Sequence, residues 1–91
     1  MVGLSDARRE IEEIDREMAE LFVKRMKCSG DIAAYKKANS IPILDTGREK
    51  ELIEKNESCI EDSALRPYYR RFLQGILDIS KQYQHDVLSK E

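Results

Sequence analysis

The sequence has 91 residues, of which 37% are charged, and its 16 lysines and arginines nearly balance its 18 aspartates and glutamates. This length predicts a single domain over residues 1–91 that is too small for a strong monomeric core. The balanced charge excludes the broad basic surface with which proteins bind nucleic acids or membrane surfaces.

Cysteine spacing and hydropathy exclude further classes of protein. Cys28 and Cys59 have neither a CxxC spacing nor neighbouring histidines, so we expect two reduced thiols and no metal site. The N-terminal residues lack the apolar segment of a signal peptide, and no apolar stretch approaches membrane-spanning length. We therefore expect a cytoplasmic protein.

The first predicted helix begins with Ser5 or Asp6 as its N-cap and runs to about Ala38 or Asn39, before Pro42 disfavours further helix. Apolar residues recur along it at intervals of three and four, which is typical of a buried helical face. They are Ala7, Ile11, Ile14, Met18 and Leu21. At 1.5 Å per residue this helix is roughly 50 Å long, far beyond the span of a compact domain of this size. The length predicts a homodimer in which two long first helices share one core.

Arg25 occupies the next position of that apolar face, and Lys36 follows eleven residues later. A cation on a buried face must be paired or must meet an anionic ligand. Eleven residues are almost three turns, so both side chains project from one face about 16 Å apart along the axis and can bracket a small anion. The alternatives are an ion pair between Arg25 and a buried glutamate, and a solvated Lys36 beside Lys37.

The second predicted helix opens at Thr46, which with Glu49 fits a capping box, and it ends near Glu57. A link over residues 58–63 leads to a third helix that tolerates Pro67 near its first turn. No strand-like alternation occurs, so the fold class is all-α. The third helix carries two adjacent rows, one of Leu65, Tyr69, Phe72, Ile76, Ile79 and Tyr83, the other of Leu73, Leu77, Ser80 and Gln84.

Ser80 and Gln84 are spaced i, i+4 on the continuation of an apolar row, so we expect both to face inward. Exposure near the helix end is the alternative for this pair, a cap alone is the alternative for Glu49, and His85 is interpreted as a surface residue. The sequence has no nucleophile–base set, no glycine-rich phosphate loop and no metal-ligand cluster. Cations and hydrogen-bond donors alone favour the unimolecular rearrangement of a polyanionic substrate, with no cofactor.

Eight positions over the three predicted helices match a known family in residue type, order and spacing. They are Arg8, Arg25, Lys36, Asp45, Arg48, Glu49, Ser80 and Gln84. With the segments at 8–15 and 45–49, the chain resembles the all-helical class of chorismate mutases from about Leu4 to Gln84. The resemblance implies an intertwined homodimeric helical bundle of three-helix subunits, each with a very long first helix. It also implies two active sites that convert chorismate to prephenate by a Claisen rearrangement.

The resemblance assigns a role to each of the eight residues. Arg25 and Arg8 bind the two carboxylates of chorismate, with Arg8 donated by the other subunit. These two arginines are 17 residues apart, roughly 25 Å along one straight helix, and cannot hold one small molecule within a single chain. Lys36 and Gln84 donate to the ether oxygen, Glu49 and the backbone of Asp45 hold the ring hydroxyl, Ser80 assists a carboxylate and Arg48 supports the pocket.

Three other functions stay open at this point. An isochorismate pyruvate-lyase resembles this class in fold and pocket but differs in substrate. A non-catalytic helical module would sense chorismate-like anions or dock onto a partner enzyme. A purely structural dimerisation bundle would leave Arg25 and Lys36 without any function.

Overall fold

The computed structural model describes residues 3–89, which form three α-helices and a short 3-10 helix. The helices are α1 (Leu4–Ala38), α2 (Thr46–Glu57) and α3 (Arg66–Ser89), with the 3-10 turn at Ser63–Leu65. This described part contains no β-strand, so the predicted all-α class is confirmed. α3 packs against both α1 and α2 and is the central element of the chain.

Helix α1 begins at Leu4 with Gly3 as its N-cap, and no side chain caps it. The predicted N-cap at Ser5 or Asp6 is therefore wrong. Asp6 lies instead in the first turn, where its negative carboxylate interacts favourably with the positive end of the helix dipole. The predicted end is confirmed, because Asn39 is the C-cap and Ser40 reverses the chain with a left-handed φ of 56°.

Helix α2 is capped by Asp45, whose carboxylate accepts a hydrogen bond of 3.0 Å from the backbone N–H of Arg48. The predicted capping box of Thr46 and Glu49 is wrong, since Thr46 is already the first helical residue. This one-residue shift frees the Glu49 carboxylate from the helix end, and it faces α3 instead. The predicted end at Glu57 is confirmed.

The buried core lies where α3 crosses the C-terminal part of α1. Ala33 of α1 is fully buried, and Leu73 and Leu77 of α3 are 6% and 7% exposed. Ser80 and Gln84 continue the same row of α3 and are also buried, as predicted. The other predicted row of α3 is largely open within one chain, with Leu65, Phe72, Ile79 and Tyr83 exposed.

The N-terminal part of α1 is an arm that no other element of the chain covers. Every residue from 8 to 24 is exposed, so the predicted apolar face of α1 is not buried within one chain. The arm gives the chain an extent of 55 Å and a radius of gyration of 16.4 Å. A compact domain of this length has a radius of about 12 Å. The exposed apolar residues of the arm are Ile11, Ile14, Met18, Leu21, Phe22 and Val23.

No helix within residues 3–89 combines the length and the apolar character needed to cross a membrane.

An ion pair between Arg70 and Glu57 joins α3 to the end of α2, with Nη2 and Oε1 2.6 Å apart and Nε donating to Oε2 at 3.0 Å. The guanidinium lowers the pKa of the Glu57 carboxyl, mainly through this hydrogen bond.

We expect Arg70→Met to lower the melting temperature at pH 7 by a few degrees at most, because Arg70 is 58% exposed. A group whose pKa is lowered by folding stabilises the fold above its unfolded pKa. The difference between variant and wild type should therefore vanish as pH falls through the lowered pKa of Glu57, as thermal unfolding would measure.

Candidate active site

A cavity of about 420 Å³ lies between the C-terminal half of α1, the start of α2 and the C-terminal half of α3. Its walls combine a few apolar side chains with a dense set of polar and charged ones. The polar and charged lining residues are Arg25, Ser29, Lys36, Asp45, Arg48, Glu49, Ser80, Lys81 and Gln84.

Arg25 is half-buried and donates a hydrogen bond from Nη1 to the hydroxyl of Ser80. The predicted alternative, an ion pair with a buried glutamate, does not occur within the described residues, where each ion pair found involves other cations. Arg25 and Ser80 are 55 residues apart in sequence and belong to different helices. Their contact therefore joins α1 and α3 at the cavity wall and leaves the rest of the guanidinium facing the cavity.

Lys36 is half-buried and donates from Nζ to the backbone carbonyl of Ile43 at 2.9 Å. Ile43 lies in the loop between α1 and α2, which returns toward α1 after the left-handed Ser40. The alternative of a solvated Lys36 is wrong, because its ammonium is anchored at the cavity by this loop. The backbone oxygen has no counterpart in the sequence pattern, so this partner could not be predicted.

Gln84 is buried and donates from Nε2 to two acceptors of Ser29, the hydroxyl at 3.0 Å and the backbone carbonyl at 3.1 Å. Ser29 is itself only 5% exposed. The alternative of an exposed Ser80 and Gln84 is therefore wrong. A buried amide that makes both hydrogen bonds has a fixed orientation, so Gln84 is held beside the α1 face that carries Arg25 and Lys36.

Glu49 lies opposite these donors and forms an ion pair with Lys81. Lys81 Nζ is 2.8 Å from Oε1 and 3.3 Å from Oε2 of Glu49, and 3.5 Å from a carboxylate oxygen of Asp78 one turn earlier. The hydrogen bond to Glu49 is the main reason that the pKa of Lys81 is raised. The carboxylate of Glu49 therefore pairs with α3, and the alternative that it only closes the cap of α2 is wrong.

Seven of the eight predicted site residues line the cavity, and Arg8 does not. Arg8 is exposed near the N-terminus of α1, in a shallow cleft with Leu4, Ser5, Arg9 and Glu12. His85 is exposed, as predicted. Asp45 and Arg48 line the cavity although both are exposed, because they lie at its mouth at the start of α2.

Two polar lining residues were not predicted, namely Ser29 and Lys81. Ser29 follows Arg25 by four residues and precedes Lys36 by seven, so helical periodicity places it on the same face. Lys81 follows Leu77 by four, and the same argument would have found it. Both were overlooked because serine and lysine on charged helices are usually solvated.

The charges around the cavity favour a doubly negative ligand. Four cationic side chains, Arg25, Lys36, Arg48 and Lys81, face two acidic ones, Asp45 and Glu49, which leaves two net positive charges. Over residues 3–89, histidine, cysteine, aspartate and glutamate side chains form no group of three or more that would hold a metal ion. Cys28 and Cys59 are free thiols.

The comparison with known families agrees with this geometry. Residues 7–85 match the family model of type II chorismate mutases. Since this match covers most of the chain, the protein belongs to the type II chorismate mutase family. The matched region contains every polar residue of the cavity and Arg8.

Two curated relatives are similar to the chain, and the name of one includes chorismate mutase. The chain is 37% identical over 84 residues to a bifunctional chorismate mutase/prephenate dehydratase of Buchnera aphidicola subsp. Schizaphis graminum, covering 91% of the chain and 22% of that relative. It is 29% identical over 96 residues to the T-protein of Haemophilus influenzae, covering 100% of the chain and 26% of that relative. The chain thus spans about a quarter of the length of the curated relatives it matches. No solved structure gave a significant match.

The Gln84 amide generates a prediction of pH-dependent stability. Gln84→Glu places a carboxylate against the Ser29 carbonyl oxygen, so we expect a loss of about 1–3 kcal/mol in the free energy of unfolding at pH 7. Burial disfavours the ionised form, and a protonated carboxyl donates again. The loss should therefore shrink as pH falls to about 4–5. Chemical denaturation at both pH values would measure this.

Gln84→Met is the matched control, because it removes both hydrogen bonds without adding a titrating group. Its stability relative to wild type should not depend on pH in this range. Equal pH dependence of the Glu and Met variants would contradict the assigned orientation of the amide.

Proposed function

We propose that the chain catalyses the rearrangement of chorismate to prephenate, without a cofactor. The observation that carries this proposal is the cavity, in which Arg25, Lys36 and Gln84 converge from two helices within a surplus of two positive charges. Chorismate carries two carboxylates and an ether oxygen, and these three groups need two anion sites and a donor between them. Family membership supports the same reaction.

The proposed chemistry requires no nucleophile. As the C–O bond breaks, the ether oxygen gains negative charge, and a cation placed beside it stabilises the transition state more than the ground state. Lys36 and Gln84 are proposed as these donors. Both are held in place by main-chain carbonyls, those of Ile43 and Ser29. The ammonium of Lys36 has two further N–H donors for a ligand oxygen, whereas at Gln84 a ligand oxygen would compete with Ser29 for the amide N–H groups.

The remaining residues are proposed to hold the reactive conformer. Arg25, supported by Ser80, binds one carboxylate, and Arg8 of a second subunit binds the other. Glu49 and the backbone of Asp45 bind the ring hydroxyl, while Arg48 supports the mouth of the pocket. Clamping both carboxylates places the enolpyruvyl group over the ring and removes much of the entropic cost of reaching the transition state.

A homodimer is part of the proposal, since one chain leaves the apolar arm of α1 uncovered. The arm extends for about 25 Å and carries large apolar residues that are about half exposed, such as Ile14 at 53% and Leu21 at 62%. Exposed apolar surface of this extent on a small protein is typical of an interface. A second copy that covers the arm would bring its own Arg8 toward the cavity, which Arg8 of the same chain cannot reach.

Two further expectations stay predictions. One is that residues 1–91 form a single domain with this activity, and the other is a cytoplasmic location.

The first test is turnover of chorismate by the purified protein and by Lys36→Ala. Wild type should convert chorismate to prephenate, and the variant should lose at least about a hundredfold in kcat, because one donor to the developing oxyanion is removed. Lys55→Ala is the matched control, since Lys55 is exposed on α2 away from the cavity. Near-normal turnover by Lys36→Ala would contradict the role of Lys36.

Isochorismate assayed in parallel separates this reaction from the related lyase. Release of pyruvate from isochorismate, with no prephenate from chorismate, would replace the mutase proposal by the lyase. Binding of chorismate without any turnover would indicate the non-catalytic module.

If each active site takes Arg25 from one subunit and Arg8 from the other, mixing two inactive variants should restore activity. Arg8→Ala and Arg25→Ala should each have little activity alone, and both should form dimers. After unfolding and refolding together, random assortment makes half of the dimers mixed, and each mixed dimer has one site with both arginines. Activity should then recover to about a quarter of the wild-type value per chain.

Sedimentation velocity on the same samples verifies that each variant and the mixture are dimeric. No recovery from well-folded mixed dimers would contradict the contribution of Arg8 across subunits. Refolding each variant separately before mixing is the control, since exchange is then prevented and activity should remain low.

A further inference from the structure

Lys81 is a charged cavity residue to which the proposed mechanism gives no role. Its ammonium contacts both oxygens of the Glu49 carboxylate, at 2.8 Å and 3.3 Å. The side chain of Lys81 is 31% exposed and that of Glu49 is 18% exposed, so the pair lies partly out of water. A partly desolvated ion pair with two contacts holds a carboxylate more firmly than a solvated pair does.

The ion pair of Lys81 and Glu49 joins two helices beside the cavity. Lys81 lies on α3 directly after Ser80, and Glu49 lies in the first turn of α2. The pair therefore joins the two helices at the cavity wall, while Arg70 and Glu57 join the same helices at their other end. Only the first of these two ion pairs lines the cavity.

The charge balance gives Lys81 a second effect. Without its ammonium the lining side chains would carry one net positive charge instead of two, and Glu49 would lack a cation in contact. An uncompensated carboxylate repels an incoming dianion. Lys81 thus neutralises the acidic residue that otherwise opposes binding.

We propose that Lys81 is a positioning residue that acts through Glu49, orienting its carboxylate toward the ring hydroxyl of the substrate and offsetting its charge. This inference rests on the proposed function. A carboxylate has about four lone-pair positions, so Glu49 can accept from Lys81 and from a ligand hydroxyl together. Because the hydroxyl takes no part in bond breaking, its hydrogen bond is equally strong in the ground state and the transition state.

Uniform binding of this kind affects KM rather than kcat. We therefore expect Lys81→Met, which keeps the aliphatic stem and removes the charge, to raise KM for chorismate roughly tenfold while kcat changes less than about threefold. Lys81→Arg keeps the cation and should return KM to within about threefold of wild type. Steady-state kinetics of the full-length chain measure both values.

A double-mutant cycle separates action through Glu49 from direct contact with substrate. Glu49→Gln should raise KM, and adding Lys81→Met to it should cause little further change. Full additivity of the two effects would overturn the positioning role, because Lys81 would then act independently of Glu49.

Arg70→Met is the matched control, since it breaks the other ion pair between α2 and α3 outside the cavity. It should leave KM and kcat unchanged, while its effect on melting temperature is similar to that of Lys81→Met. Lys81→Gln serves as a second variant if Lys81→Met fails to fold by circular dichroism.

The outcomes distinguish this inference from the proposed function. If wild type converts chorismate and a folded Lys81→Met or Lys81→Gln has the wild-type KM, the inference alone is overturned. A rise in KM that Lys81→Arg does not reverse also overturns it, since shape rather than charge would be responsible. If wild type converts no chorismate, the proposed function fails first, and the role of Lys81 in substrate binding fails with it.

Discussion

Pairing of buried polar groups between α1 and α3 is the constraint from which the rest of the structure follows. Gln84 must place its amide against Ser29, and Arg25 must reach the hydroxyl of Ser80, because buried polar groups without partners are costly. Together these contacts fix the rotation and register of the two helices. Lys36 lines the same cavity as Gln84, and its bond to the Ile43 carbonyl directs the loop that leads into α2.

The same contacts mean that the donors of the cavity are held in place without a ligand. Arg25, Lys36 and Gln84 each hold a protein acceptor, so their positions are defined by packing before any substrate arrives. Fixed cations in a partly enclosed site stabilise developing charge with little reorganisation. The net positive charge of the cavity favours a dianionic ligand, and the exposed apolar arm of α1 supports the proposed second subunit.

The weak core of a single chain explains why the arm matters. Within residues 3–89 no large side chain is fully buried, and the buried apolar residues are Ala33, Leu73 and Leu77. A core of this size offsets little of the conformational entropy lost on folding. The long first helix therefore has a physical reason to share its apolar face with another chain, and Arg8 lies on the same arm.

Local periodicity in the sequence determined the three helices and the inward row of Ser80 and Gln84, because helical spacing fixes which residues share a face. Pro42 determined the end of α1 near Ala38, because proline disfavours helix in the residue before it. Seven of the eight candidate site residues came from those rows together with the family pattern. Only the tertiary structure decided how the rows meet. Asp45 rather than Thr46 caps α2, which releases Glu49 toward Lys81, and Lys36 bonds a loop carbonyl that carries no sequence signal. The contact between Glu49 and Lys81 joins residues 32 apart in the chain, and the bond of Lys36 depends on the path of the loop after α1. The geometry of both depends on how separate elements pack rather than on spacing within one helix.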